Sequence, residues 1–276
     1  MIPRDYISAW GEKVPWRTLA QVEQDLVVSR AMTEIFTQAV ITEQMVMRGG
    51  TAFHKLLLDY PGRYSEDIDL VMRKECPTGE LIDAVRSILD PWLGTPRRDW
   101  REDRLAIKYR FESSEEPVQP MRLKVEINPV EHLSLLPTRE SHFEMANPWF
   151  TGTADIAIYH PDQMFGSKMR ALYGRRKGRD LFDLWLALES DLVDPSAVVE
   201  SFQAYGERHG EAISRAMFEA NLISKFKDRR FHDDLAPLLP ADSDYDPDAA
   251  VQLVLEELVS RLPGEPWQGE GDSPGS

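Results

Sequence analysis

The spacing of hydrophobic and polar positions changes character part-way along the chain. Over residues 18–45, TLAQVEQDLVVSRAMTEIFTQAVITEQM, apolar side chains recur at helical intervals and predict one amphipathic helix or a helix pair. Val46–Arg48 is a short strand candidate that stops at Gly49-Gly50. Thr51–Leu58 then reads as a helix with Ala52, Phe53, Leu56 and Leu57 on one side. Pro61-Gly62 marks a turn, and Asp67–Met72 alternates as a strand does. Residues 79–94 predict a helix. Residues 104–111 and 121–128 predict two strands separated by the polar turn SSEEPVQP. From Pro161 to about Leu262 the period is helical, with proline-rich breaks near 195, 237–247 and 263. The expected fold class is therefore α/β (α+β). A small mixed sheet flanked by helices, residues 1–155, is followed by a helical half, residues 156–262. The last fourteen residues, PGEPWQGEGDSPGS, have the composition of a disordered tail.

The composition, 42% hydrophobic and 29% charged over 276 residues, is that of a globular protein able to bury a core. The N-terminus shows no basic segment followed by an apolar run, and no apolar stretch is long enough for a membrane span. Cys76 is the single cysteine, so no internal disulfide or cysteine zinc cluster is expected. A cytoplasmic location is the resulting expectation. The formal net charge of −15 argues against a general nucleic-acid binder. The charge is uneven, however. Residues 231–276 hold eleven acids and one base, whereas Lys168–Arg179 holds six bases and no acid, so a local basic surface remains open to the chain.

The candidate chemistry lies in Arg48-Gly-Gly-Thr-Ala followed by Arg63-Tyr-Ser65-Glu-Asp67-Ile-Asp69-Leu. On a strand, Asp67 and Asp69 share one face, while Ile68, Leu70 and Met72 share the other. Two carboxylates about 7 Å apart repel unless a cation lies between them, and hard oxygen donors suit Mg²⁺. In Met121–Asn128, Glu126 lies on the face opposite Leu123, Val125 and Ile127, together with Lys124 and Asn128. If the two strands are neighbours, Asp67, Asp69 and Glu126 form the ligand set of a two-metal clamp for phosphoryl or nucleotidyl transfer. The backbone at Gly49, Gly50 and Thr51 can approach a phosphate closely at the start of a helix. The Thr51 hydroxyl, Arg63 and Ser65 are placed to reach the same phosphates.

Each feature alone has a plainer explanation. A single D-x-D is often solvated or salt-bridged, a Gly-Gly is often only a turn, and Glu126 can simply pair with an arginine. The ordered combination of strand, Gly-Gly-Thr, helix and D-x-D is far more specific. The six histidines, His54, His132, His142, His160, His209 and His232, show no ligand spacing.

With the helical block SKMRALYGRRKGRDLFDLWLAL added, the strings GGTAFHK…RYSEDIDL and LKVEIN resemble, in order over roughly residues 20–190, the AbiEii/AbiGii toxin family of nucleotidyltransferases. This family includes the MenT-type toxins and belongs to the DNA polymerase β-like superfamily. The wider superfamily has Gly-Ser where this chain has Gly49-Gly50-Thr51. The resemblance implies a nucleotidyltransferase fold whose active site the helical half completes. It matches Lys168 to the lysine of a K-x-x-A-L block and Asp183 to the second aspartate of R-D-x-x-D-L, both linked to activity in the family. Residue by residue, Lys168 as a triphosphate ligand stands against snorkelling over an apolar stripe, since Met164, Phe165, Ala171 and Leu172 flank it on a helix. Asp183 stands against a structural ion pair with Arg179, and Asp180 is expected to cap the helix N-terminus. The run Arg175–Arg179 is either a contact for RNA phosphates or a solvated loop. Tyr173, Phe182 and Trp185 are expected in the core.

The function implied is that of a metal-dependent toxin of a bacterial type IV, AbiE-like toxin–antitoxin system, tied to phage resistance. It would use two Mg²⁺ ions, or Mn²⁺, to transfer a nucleoside monophosphate from a nucleoside triphosphate. The acceptor implied is RNA, a tRNA 3′ end, with translation blocked as a result. An adjacently encoded antitoxin protein is the implied partner. The rival readings are transfer to a small molecule or a protein side chain, and a non-catalytic nucleotide-binding module.

Overall fold

The computed structural model describes residues 2–101, 104–132 and 134–269. It divides into two compact units, Met1–His160 with Leu239–Asp242, and Pro161–Leu238 with Ser243–Ser276. The change of hydrophobic period near Pro161 falls at the division. Among the described residues no helix is long and apolar enough to cross a membrane.

The first unit is built on a seven-stranded mixed sheet. Its strands are β1 (Met45–Arg48), β2 (Asp67–Met72), β3 (Arg97–Arg101), β4 (Arg104–Glu112), β5 (Pro120–Asn128), β6 (Arg139–Asn147) and β7 (Phe150–Ile158). They lie in the order β3-β4-β5-β2-β1-β7-β6. β2 runs antiparallel to β1 and parallel to β5, and β1 runs parallel to β7. The strands read from alternation, β1, β2, β4 and β5, are the central ones plus one neighbour. β3 and the β6–β7 hairpin are additional. β3 and β6 form the sheet's two edges, so much of each stays exposed and carries little apolar alternation.

Among the described residues five helices belong to this unit: α1 (Arg4–Gly11), α2 (Leu19–Ile35), α3 (Ala39–Gln44), α4 (Gly49–Leu56) and α5 (Thr78–Leu93). The stretch read as one helix or two is thus a pair, α2 and α3. Thr18 begins α2 by accepting from the Gln21 N–H at 3.2 Å. α2 packs against β2, β5, β6 and β7 and is buried on nearly every side, which explains its weak amphipathic pattern. Its buried Asp25 accepts from Trp10 Nε1 at 2.8 Å and from Lys55 Nζ at 2.7 Å, and so ties α1 and α4 to α2. The sheet face beneath is apolar, with Ile68, Leu70, Ile107, Leu123, Val125 and Ile127 all buried.

The second unit is helical: α6 (Pro161–Gly174), α7 (Gly178–Glu189), α8 (Pro195–Arg208), α9 (Arg215–Phe226), α10 (Arg229–Asp233) and α11 (Pro247–Glu257). Lys225 donates to the carbonyls of Leu172 and Tyr173 in the last turn of α6, satisfying groups that a helix end leaves without partners. The segment expected to be a disordered tail from residue 263 is tied down as far as it is described. Pro263 O accepts from the Arg215 N–H at 2.9 Å, and the Trp267 N–H donates to Glu219 at 2.6 Å. Residues 270–276 of that tail lie outside the described residues.

Candidate active site

β1 passes into α4 with no intervening residue, so α4 starts two positions earlier than the sequence pattern places it. Gly49 makes this possible, with φ of +84°. Arg48 is the register partner of Asp69, so the turn and the second aspartate meet across β1 and β2. A β-carbon on Gly49 would overlap the Asp69 carboxylate. One on Gly50 would lie 2.7 Å from the Arg63 guanidinium and 2.8 Å from Ser65 Oγ. Both glycines are thus required by close approach. Thr51 is fully buried, and its Oγ1 lies 2.5 Å from the Asp67 carbonyl and 3.0 Å from Ser65 Oγ. Its hydroxyl fastens the segment before β2 to α4 and does not point into solvent. Arg63 is likewise buried and donates to the Tyr64 carbonyl at 2.9 Å.

The parallel pairing of β2 and β5 sets Asp67 against Lys124 and Asp69 against Glu126. The three expected carboxylates therefore lie on one face of neighbouring strands. The sequence pattern places Lys124 on the face of Glu126 and assigns it no role. Here its ammonium stands 2.7 Å from Asp67 Oδ2 and 3.1 Å from Glu126 Oε2. Glu126 also faces Arg104 at 3.6 Å, the arginine pairing weighed for it above. Burial pushes the Asp69 carboxyl up to about 6. The charges of Asp67 and Glu126 add to this, while Lys124 and Arg48 oppose it. Burial pulls Lys124 down, but the carboxylates of Asp67, Glu126 and Asp69 hold it above its ordinary value.

Among the described residues, no three His, Cys, Asp or Glu side chains close around one point as a metal cage. Lys124 occupies the space between two of the acids. The donor set nevertheless fits a divalent cation. Asp67 and Glu126 share one bridging ammonium, Asp69 is the register partner of Glu126, and Asp67 Oδ1 is buried without a hydrogen-bond partner among the described residues. An oxygen in that state has a lone pair to offer a hard cation.

In the helical unit, the two residues carried over from the family motif meet each other. Lys168 Nζ lies 2.5 Å from Asp183 Oδ2, with both side chains buried. The alternative Arg179–Asp183 ion pair does not form, because Arg179 turns to Asp234 at 3.7 Å. Asp180 does not cap α7. The helix begins at Gly178, and the buried Asp180 carboxylate accepts twice from Arg175 at 2.7 Å. Arg176 pairs with Asp228 at 2.9 Å and Lys177 with Asp234 at 2.8 Å. The basic run is therefore partnered throughout within its own unit. Phe182 is buried and packs with Trp185 and Tyr245.

A family model described as "Nucleotidyl transferase AbiEii toxin, Type IV TA system" matches residues 30–253. The chain belongs to the AbiEii nucleotidyltransferase toxin family. Among solved structures, MenT4, a nucleotidyltransferase toxin from Mycobacterium tuberculosis H37Rv, is similar at 16% identity and a TM-score of 0.56. That match covers 92% of this chain and 99% of that one. At this identity the likeness establishes a shared nucleotidyltransferase fold for the AbiEii chain. A candidate nucleotidyltransferase from H. pylori aligns at 15% identity and a TM-score of 0.49, covering 90% and 100%. No curated protein matches the sequence.

Proposed function

We propose that this AbiEii-family chain transfers a nucleoside monophosphate from a nucleoside triphosphate to a terminal hydroxyl of RNA, a tRNA 3′ end, and thereby blocks translation. The acceptor hydroxyl loses its proton to water as its oxygen bonds to the α-phosphorus, the bond from that phosphorus to the bridging oxygen breaks, and pyrophosphate leaves. The observation that carries the chemistry is the abutment of Gly49-Gly50 on the Asp69 carboxylate and on the Arg63–Ser65 segment. It sets the N–H groups that open α4 beside a cluster of acids.

Asp67, Asp69 and Glu126 would hold Mg²⁺, or Mn²⁺ in its place. Such ions, when bound, neutralise charge on the phosphates and on the attacking and leaving oxygens. The opening turn of α4 offers backbone donors to phosphate oxygens. Arg63 and Ser65 hold the wall next to Gly50, and Thr51 fixes that wall to the β2 entry. The family resemblance links Lys168 and Asp183 to activity. Both are included among the residues required for transfer, with Asp183 fixing the Lys168 ammonium in place. An antitoxin protein encoded beside this chain is the proposed partner, as the type IV family membership supports.

The test is incubation of the purified protein with labelled nucleoside triphosphates and total RNA, together with sequencing of RNA 3′ ends after induction. Label on RNA that disappears in Asp67→Ala and Asp69→Ala is the expected result. Label confined to protein or a small metabolite overturns the RNA acceptor. Undiminished toxicity of both variants overturns catalysis altogether.

A further inference from the structure

The strand register extends the carboxylate site sideways into a row of cations. Asp67 pairs with Lys124, Lys124 with Lys108, and Lys108 with Arg97. These four side chains share one sheet face, because residues at paired positions point the same way. Two register positions along, Arg122 pairs with Arg110 on the same face. The other face is the buried one. Leu105, Ile107 and Tyr109 on β4, and Leu123, Val125 and Ile127 on β5, all point into the core. The cationic face shows the complementary pattern, with Arg97, Arg110 and Arg122 exposed and Lys108 partly so.

With Arg101 and Arg104 included, the described parts of β3, β4 and β5 carry seven Lys or Arg on this face. Against them stand three carboxylates, Asp99, Glu112 and Glu126. This excess occurs on a chain of net charge −15. Four of the seven are ion-paired: Lys108 with Asp99 at 3.0 Å, Arg122 with Glu66 at 3.3 Å, Arg104 with Glu126 at 3.6 Å, and Lys124 with both Asp67 and Glu126. Among the described residues no ion pair involves Arg97 or Arg110. The basic run Arg175–Arg179 differs, since each of its cations has a carboxylate partner.

We infer that the exposed face of β3–β4–β5 is the track along which the acceptor RNA lies, its phosphates held by Arg97, Lys108 and Arg110 and its 3′ end delivered toward Asp67 and Asp69. This inference rests on the RNA-acceptor reading above. Strands are spaced about 4.8 Å apart, so the row from Asp67 to Arg97 spans roughly 14 Å, enough to meet successive phosphates of a single strand. Such contacts position the acceptor without reading its bases, which suits an enzyme that acts at a terminus.

The experiment uses the full chain and the triple variant Arg97→Gln, Lys108→Gln, Arg110→Gln. Binding of a short fluorescein-labelled single-stranded RNA is followed by anisotropy across a salt series, with thermal melting and nucleoside triphosphate binding measured alongside. The expected result is RNA binding weakened about ten-fold or more, with melting and triphosphate binding unchanged. The slope of log affinity against log salt should fall by roughly two, as loss of three phosphate contacts requires. Unchanged RNA affinity and slope overturn the track. Equal loss for a DNA strand supports a backbone track. Loss for an acidic peptide alone overturns it. Failure of the parent protein to label RNA, with binding still lost in the variant, would sink the transfer reaction and leave the surface standing.

Discussion

The carboxylate of Asp69 lies in the volume that a β-carbon on Gly49 would need. Gly49 also holds φ at +84°, where an alanine pays about 1–2 kcal/mol for its side chain. Gly49→Ala is therefore expected to lower stability by about 2–4 kcal/mol by denaturant melting. It should reduce transfer by about a hundred-fold, because Asp69 must shift. Parent-like stability and activity in this variant would falsify the contact.

Asp69 gives a pH signature. Its folded-state value of about 6 exceeds the ordinary value of about 4 in an unfolded chain. Below about pH 4 the group is protonated in both states. Between about pH 4 and 6 the folded protein keeps a proton that the unfolded chain has released, so this group's contribution to stability declines as pH rises through that window. Asp69→Asn should thus raise the melting temperature by a few degrees at about pH 7.5 and give no gain at about pH 4. The gain corresponds to roughly 1–2 kcal/mol, less than full linkage because water reaches part of the carboxylate. An equal gain at both pH values would show that the effect is not the carboxylate's ionisation.

Lys124 lies between Asp67 and Glu126, two of the proposed metal ligands. Removing its ammonium in Lys124→Met leaves Asp67 and Glu126 without their bridging charge and Asp69 without a neighbouring cation. The apo protein should melt lower, and Mn²⁺ should bind about ten-fold more tightly by electron paramagnetic resonance titration. Weaker Mn²⁺ binding would mean that Lys124 organises the carboxylates and does not compete with the ion.

Lys168 and Asp183 form a buried pair, so breaking it from one side is costly. Lys168→Met should destabilise by about 3–5 kcal/mol, because Asp183 is left charged and buried. Adding Asp183→Leu should restore part of that stability. If the lysine serves transfer, the double variant stays inactive although it folds. Recovered activity in the double variant would reduce the pair to a structural role.

The strands that carry the candidate site, β2 and β5, are legible in the sequence because each has one face in the core. In β2 the buried Ile68 and Leu70 force Asp67 and Asp69 to the other side, and in β5 Leu123 and Val125 do the same for Lys124 and Glu126. β3, RRDWR, was silent because an edge strand exposed on both faces leaves no apolar alternation to detect. Partner choice was the other blind spot. Local spacing offered Arg179 to Asp183 and a cap role to Asp180. The fold instead gave Asp183 to Lys168, fifteen residues away in sequence, and Asp180 to Arg175. Lys124 was in plain view beside Glu126, and an ammonium among three acids is a signal that spacing alone can raise.

The absence of any residue between β1 and α4 limits how this protein can choose its nucleotide. The helix whose first amides are proposed to receive a phosphate is continuous with the central strand, and Thr51 bolts it to the next one. Such a cradle has no hinge of its own and cannot tighten around a preferred triphosphate. Discrimination among bases must then come from walls elsewhere, so substitutions in the Gly49–Thr51 segment should change how fast the protein works and not which nucleotide it prefers.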